Sequence, residues 1–388
     1  MMRIYHIADT INEAGGGTSV YICNLASATA KLKVGPVEVA AINQPEFGKL
    51  VATSPEVKVR TFQPKRPYLY GRSHGFGEYL ESAARSDDSV FHVHRMWRLP
   101  LASASNYAHR FKRPCIVSPH GSLNKFSMSQ KPVRKKIIWW LMEGRRIRRA
   151  DMVLATCLSE AEDIAALLPE VPIAVIPPGT DLPVMREPGP AREFKVALFL
   201  SRFNPKKGLI SLIKAWGILK PASWKLVIVG FDEEGVEAQC RKAVADLKLE
   251  DSVIFAGPAL KDRKWEHYFN ADIFILPTLD ENFGIVIAEA LASGLPVITT
   301  KGAPWEDLKL RNCGWWIDIG VEPLVNAMRE ALELDPSELR AMGGRGRTLV
   351  EEKFTWEACA RKMVEIYKWA LGGGARPEDV LWKGAAAG

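Results

Sequence analysis

Short runs of apolar, β-branched residues alternate along this chain with longer segments whose apolar positions recur every three or four residues. The first pattern predicts buried strands and the second amphipathic helices. In the first half, strands are expected at Arg3–Ala8, Val37–Ile42, Val57–Phe62, Val90–His94, Cys115–Pro119, Met152–Thr156 and Ile173–Ile176. Helices are expected near Thr18–Lys31, Ser73–Arg85, Leu101–Arg110, Pro132–Arg149 and Ser159–Leu168. The second half repeats the alternation, with strands at Lys195–Leu200, Lys225–Val229, Val253–Ala256, Ile273–Leu276, Val297–Thr300 and Trp316–Ile319, then three helices from Val321 to Leu371. Such alternation implies α/β architecture, with parallel sheets covered on both faces.

Proline and glycine concentrate at Pro177-Pro178-Gly179 and Pro188-Gly189-Pro190, where neither helix nor sheet continues. A chain of 388 residues is long enough for two domains. The expected division is 1–185 for a first domain and 186–371 for a second. A tail, 372–388, is loop-like except for Val380-Leu381-Trp382 and is expected to pack back on the first domain. No run of eighteen apolar residues occurs, and the first residues read as a strand rather than a secretory leader. The six cysteines form no Cys-x-x-Cys pair and read as reduced core thiols of a cytoplasmic protein.

The net charge of +7 belongs to the first half, where 26 Lys/Arg face 18 Asp/Glu. It is densest from Lys112 to Arg149, with eleven basic residues against the single acid Glu143. Within it, Lys131 to Leu141 combines Arg134, Lys135 and Lys136 with Trp139 and Trp140. Two readings stand: a face that meets an anionic membrane surface, giving peripheral attachment at the inner face of the plasma membrane, or a solvated basic face with its apolar side in the core.

The residues that carry chemistry sit at strand ends. Pro277-Thr278-Leu279-Asp280-Glu281-Asn282-Phe283-Gly284 leads from a strand into a helix expected to begin near Phe283. Backbone N–H groups of Asn282, Phe283, Gly284 and Ile285 at that helix start suit an anion. Glu281 and Glu289, eight positions apart, offer fixed acceptors for sugar hydroxyls. Arg202 and Lys207, in the loop after the second half's first strand, could neutralise a diphosphate. Gly15, Gly16 and Gly17 form a glycine loop after the first strand, where backbone N–H groups could cradle a diphosphate. His120 ends a strand within Ser118-Pro119-His120-Gly121 and is positioned to enter a cleft. His94 ends another strand, and His92 reads as core. No Asp-x-Asp clamp, zinc-spaced His/Cys cluster or Gly-x-Ser-x-Gly elbow occurs, so neither a metal nor a separate cofactor is expected.

These segments together resemble the retaining glycosyltransferases of family 4, in the branch that builds bacterial surface polysaccharides. Glu281 and Glu289 match the family's Glu-x7-Glu signature, continued by Leu295-Pro296-Val297-Ile298. Arg202 and Lys207-Gly208 match its donor-diphosphate pair, and Gly302 to Asp307 with Asn312 to Trp316 are similar to the bacterial branch. Gly15 to Gly17 and His120 resemble its glycine loop and sugar-facing histidine. The likeness extends to about Leu371 and is looser in the first half.

The resemblance implies the GT-B architecture, two Rossmann-like doubly wound domains facing across a cleft. It also implies a nucleotide-sugar donor, UDP- or GDP-linked, and a glycan or lipid-linked acceptor. Glu289 would accept from the ribose, Glu281 and the nearby N–H groups would hold the sugar, and Arg202 and Lys207 would stabilise the leaving diphosphate. His120 would position the donor sugar, and the donor anomer would be retained. Rival readings are a glycan phosphorylase, a nucleotide-sugar epimerase, a non-catalytic glycan binder and a basic nucleic-acid-binding protein. The last predicts affinity that falls steeply with salt, and nucleic acid is not an expected partner.

Overall fold

The apolar runs assemble into two sheets, seen here in a computed structural model that describes residues 1–43, 46, 48–64, 73–129, 132–185, 192–259 and 263–381. Lys131, Pro188-Gly189-Pro190 and Trp382 lie outside the described residues. The first sheet is built from β1 (Arg3–Ala8), β2 (Val37–Ile42), β3 (Val57–Phe62), β4 (Ser89–His94), β5 (Cys115–Ser118), β6 (Met152–Ala155) and β7 (Ile173–Val175). Between them run α1 (Gly16–Lys31), α2 (Phe76–Ala84), α3 (Leu99–Arg110), α4 (Lys125–Ser129), α5 (Pro132–Ile138), α6 (Gly144–Arg148) and α7 (Leu158–Leu167). Alternate residues of β1 serve opposite faces. Ile4 and Ala8 join one core cluster, Tyr5 and Ile7 the other. This is the two-sided burial expected of a parallel sheet.

The second sheet contains β8 (Lys195–Leu200), β9 (Trp224–Val229), β10 (Val253–Gly257), β11 (Ile273–Leu276), β12 (Val297–Thr300) and β13 (Gly314–Ile317). Its helices are α8 (Leu209–Leu219), α9 (Val236–Asp246), α10 (Lys264–Phe269), α11 (Ile285–Ala292), α12 (Asp307–Leu310), α13 (Val321–Glu333) and α14 (Pro336–Lys353). Every pairing in this sheet is parallel, in the order β10-β9-β8-β11-β12-β13.

The chain then returns to the first sheet. A last helix, α15 (Trp356–Ala370), and a short strand, β14 (Val380–Leu381), complete the elements. The first sheet reads β14-β7-β6-β5-β4-β1-β2-β3, with β14 antiparallel to β7 and the rest parallel. The two compact units are therefore residues 1–179 with 356–388, and 180–355. The expected division kept the last helix with the second domain. The structure gives it to the first, because Cys359, Ala360, Met363, Ile366 and Tyr367 bury in that unit's core beside residues of α1. The chain thus passes between units twice, at 179–180 and at 355–356.

Both sheets reverse direction in strand order once near their middle. The first does so between β1 and β4, the second between β8 and β11. Ligands of open α/β sheets settle beyond the carboxyl ends of strands at such points.

Candidate active site

In the second unit, the switch point is where the loops after β8 and β11 meet. Gly208 lies at φ +70, and a Cβ there would fall 2.0 Å from the Pro277 carbonyl oxygen. Only glycine lets the two loops approach so closely. Hydrogen bonds join them further: Leu279 N–H donates to the Lys206 carbonyl at 2.6 Å, and the Thr278 hydroxyl to the same oxygen at 3.1 Å. Two ion pairs follow from this docking. Lys206 meets Asp280 at 2.6 Å, and Lys207 meets Glu281. The Lys207–Glu281 pair is the more enclosed, its side chains 12% and 18% exposed. Two residues expected to share a site, 74 positions apart in the chain, are thus in direct contact.

The turn ends in Gly284, left-handed at φ +82, which caps α11. The helix starts two residues after the expected Phe283, because Ile287 N–H turns back onto the Gly284 carbonyl at 2.8 Å. Phe283 itself is core. Its ring packs on Trp305 at 5.0 Å and Phe354 at 5.5 Å, and its carbonyl accepts from the Trp305 indole. Only its backbone is left for a ligand, together with that of its neighbours Gly284 and Ile285 at the helix tip. Glu281 is pinned by its own N–H, which donates to the Gly302 carbonyl at 2.8 Å.

Glu289 is buried one and a half turns into α11, and its carboxylate is held by groups that sequence reading did not name. Lys264 reaches it at 2.7 Å and the Tyr268 hydroxyl donates at 3.0 Å, both from α10. Burial, with the Glu289 charge beside it, pushes the Tyr268 hydroxyl well above its ordinary pKa. Arg202 is more than half exposed and pairs with Glu233, a residue of the loop after β9. Asn204 adds hydrogen bonds to Glu233 at 3.4 Å and Glu234 at 3.0 Å. Lys264 and Tyr268 carried no sequence signal, because six-residue α10 shows too little periodicity to be read, and Glu233 lies in a polar loop with no motif.

In the first unit, the switch point gathers the glycine loop, Arg95 and His120. Gly15 closes a 3₁₀ turn and Gly16 and Gly17 begin α1. Both of the latter are exposed, with nothing within 4 Å of an added Cβ. Arg95, which sequence reading passed over, donates to the Gly15 carbonyl and lies 3.5 Å from Asp9. Its own N–H donates to the Ser118 carbonyl at 2.8 Å. Left-handed backbone recurs here, at Arg95 (φ 72), Trp97 (φ 68) and His120 (φ 51). Strained non-glycine residues of this kind persist where the surrounding structure holds them. The His120 turn is held by buried Glu160, which accepts from Gly121 N–H at 2.7 Å and from Thr156 N–H and its hydroxyl at 2.8 and 2.6 Å.

His120 does not stand alone. His92 is buried, as expected, and His94 and His6 are buried with it. The nitrogens of His6, His92 and His94 lie within 4.8 Å of one another, the one set of three potential metal ligands among the described residues. No spacing rule reveals it, because His6 enters from β1 opposite His92 in β4. Burial pushes His6 and His120 down to about 3, and His92 and His94 well below the ordinary imidazole value. All six cysteines are buried.

The basic segment differs from one uninterrupted helix. Between α5 and α6 lies a π-helical stretch, Trp139–Glu143. Part of its apolar side is not in the core: Val133, Ile137, Trp140 and Leu141 are exposed, Trp140 by 82%, whereas Ile147 is buried in it and Trp139 packs against it. Glu143, the one acid, is buried in a pair with Arg146 at 2.6 Å and accepts from Trp97 N–H. The outer face therefore carries Lys and Arg beside bare apolar side chains. No helix among the described residues is long and apolar enough to cross a membrane.

Comparison with known proteins agrees with this geometry. Residues 184–348 match the glycosyl transferases group 1 family, and residues 16–179 match the glycosyl transferase 4-like domain. The chain is 29% identical over 250 residues to D-inositol 3-phosphate glycosyltransferase of Acidothermus cellulolyticus, covering 59% of this chain and 55% of that protein. It is 27% identical over 275 residues to the GDP-mannose-dependent alpha-(1-6)-phosphatidylinositol monomannoside mannosyltransferase of Mycobacterium tuberculosis, covering 65% and 69%. Among solved structures, sucrose-phosphate synthase from Thermosynechococcus elongatus superposes with a TM-score of 0.73 at 21% identity, over 96% of this chain and 100% of that one.

Proposed function

The chain belongs to the glycosyltransferases that join a 4-like first domain to a group 1 second domain, with the GT-B fold, and on that footing we propose that it moves a sugar from a nucleotide-diphosphate sugar to a hydroxyl of a glycan or lipid-linked saccharide, with retention at the anomeric carbon. The observation that carries this reading is the pairing of Lys207 with Glu281 at the tip of α11, on the switch point of the second sheet.

The roles follow from the charges. A donor diphosphate is drawn to Lys207, Arg202 and the N–H groups from Asn282 to Ile285. As the glycosidic bond breaks, negative charge grows on the diphosphate, and these donors stabilise it. Glu281, held by Lys207 when no donor is bound, turns its acceptor oxygens to sugar hydroxyls. Glu289 accepts from the ribose, with Lys264 and Tyr268 keeping the carboxylate oriented. His120 is assigned to the donor sugar and the glycine loop Gly15 to Gly17 to the diphosphate, as the resemblance implies. No side chain is assigned as a nucleophile, so substitution proceeds on one face through an oxocarbenium-like state.

The base and sugar are narrowed by screening. Uridine and guanosine nucleotide-sugars should each be tested by thermal shift, then by nucleotide release with lipid-linked saccharide acceptors. A matching donor should raise the midpoint, and nucleotide release should require the acceptor. Release of sugar phosphate from inorganic phosphate and glycan, with no nucleotide formed, would instead identify a phosphorylase.

The exposed basic and apolar face of residues 132–148 supports a lipid-carried acceptor at a membrane surface. Trp140→Glu should weaken sedimentation with anionic phospholipid vesicles at least severalfold, because it exchanges an exposed aromatic anchor for a like charge. Transfer to a soluble acceptor should be unchanged. Equal vesicle binding by both proteins would remove the membrane role and leave the transferase reading intact.

A further inference from the structure

We propose that His6 and His94 form a hydrogen-bonded imidazole relay that fixes the tautomer of His120, keeping its Nδ1 protonated as a hydrogen-bond donor. The relay is continuous. His6 Nδ1 lies 2.9 Å from His94 Nε2, and His94 Nδ1 lies 3.1 Å from His120 Nε2. The ring planes are nearly parallel, with centroids 5.2 Å apart and a 17° tilt for the first pair, 5.4 Å and 19° for the second. Strand register builds it: β1 lies beside β4, and His94 pairs with Ser118 on β5, two residues before His120.

A neutral imidazole has one N–H and one lone pair. His94 must therefore donate on one side and accept on the other, and the whole relay points one way or the reverse. In the reverse direction His6 accepts at Nδ1 and carries its proton on Nε2. That nitrogen is buried and has no partner among the described residues. An orphaned buried N–H is rarer than an unused acceptor. The favoured direction runs from His6 Nδ1–H to His94 Nε2, then from His94 Nδ1–H to His120 Nε2. His120 is left with Nδ1–H to present. Burial keeps the members neutral, as the one-proton rule requires. Arg95, at the end of β4, adds a positive charge that disfavours imidazolium at His94 and His120.

His92 braces the relay from the side. Its Nδ1 is 2.7 Å from the Tyr367 hydroxyl and its Nε2 is 2.6 Å from the Ser118 hydroxyl. Both nitrogens of His92 and of His94 are thus engaged. A metal ion on this cluster would have to break those bonds, whereas the relay uses them as they stand.

His6 is a positioning residue, and its test is spectroscopic. Full-length protein with ¹⁵N-histidine should show His120 protonated at Nδ1 and not at Nε2 by long-range ¹H–¹⁵N correlation. In His6→Phe the Nδ1–H state should lose its exclusivity, with Nε2–H appearing. His6→Asn, whose amide nitrogen can occupy the position of Nδ1, should restore it. Wild-type His120 protonated at Nε2 would overturn the proposal, as would a tautomer indifferent to His6→Phe, or ring nitrogens displaced by added zinc. The wild-type spectrum decides the assignment even if a variant folds poorly. The consequence for transfer rests on the donor-sugar role given to His120 above. If the tautomer follows His6 while transfer does not, the relay stands and that role falls.

Discussion

Replacing Lys207 with methionine is expected to slow sugar transfer about 10²–10³-fold, the cost of removing one preorganised donor to developing charge, about 2.7–4 kcal/mol. The variant also leaves Glu281 partly buried beside no cation, so its thermal midpoint should fall. These two effects need separating, because a loss of fold would mimic a loss of catalysis. The double variant Lys207→Met with Glu281→Gln does so. It removes both charges, so the midpoint should recover. If Lys207 only neutralises Glu281, activity should recover with it. If Lys207 acts on the diphosphate and Glu281 on the sugar, the double variant should transfer no faster than the slower single one. Glu281→Gln alone should lower turnover while staying folded, since the amide preserves shape. Wild-type turnover in Lys207→Met, measured at saturating donor with a folded protein, would remove the diphosphate role.

Much of this site could be read from sequence because its parts lie at ends of strongly apolar strands. β11 is a fully apolar run and β8 is one after Lys195, both closed by polar loops, so Lys207 and Glu281 could be assigned to the same sheet end. Gly208 marks a close approach between loops, but Gly314 lies inside β13, where a Cβ would come 2.1 Å from the Val297 carbonyl oxygen. Glycine there reads as turn, and the strand was expected two residues late. Contacts made by register are the least legible. His6 and His94 are 88 positions apart and neither sits in a motif. The return of α15 to the first unit is equally hidden, because its apolar stripe says that it packs but not on what. The exposed apolar side of residues 132–148 inverts the usual inference from amphipathicity, which sends such a face inward.

The same histidines make acid stability the sharpest whole-molecule expectation. His6, His92, His94 and His120 all have native values lowered by burial, to about 3 for His6 and His120. In the unfolded chain each titrates near 6.5. Below that value the unfolded state binds protons that the native state refuses, so stability falls as pH falls. The window opens near 6.5 and for His6 and His120 closes near 3. Each group then removes up to about 1.4 kcal/mol per pH unit. Four acting together would remove up to roughly 5 kcal/mol per unit, comparable with the whole stability of a domain. The carboxylates with lowered values, Glu56, Asp88 and Asp335, are exposed and titrate below this range, so they leave the interval from about pH 6.5 to 5 to histidine. Hydrogen exchange read peptide by peptide should show β1, β4 and β5 losing protection across that interval before β8 and β11. His6→Phe should reduce the slope by about one proton's worth, since phenylalanine has nothing to titrate. Stability that stays level from pH 7 to 5 would show that these rings are protonated in the folded protein, and the neutral relay on which the His120 tautomer depends would fall with it.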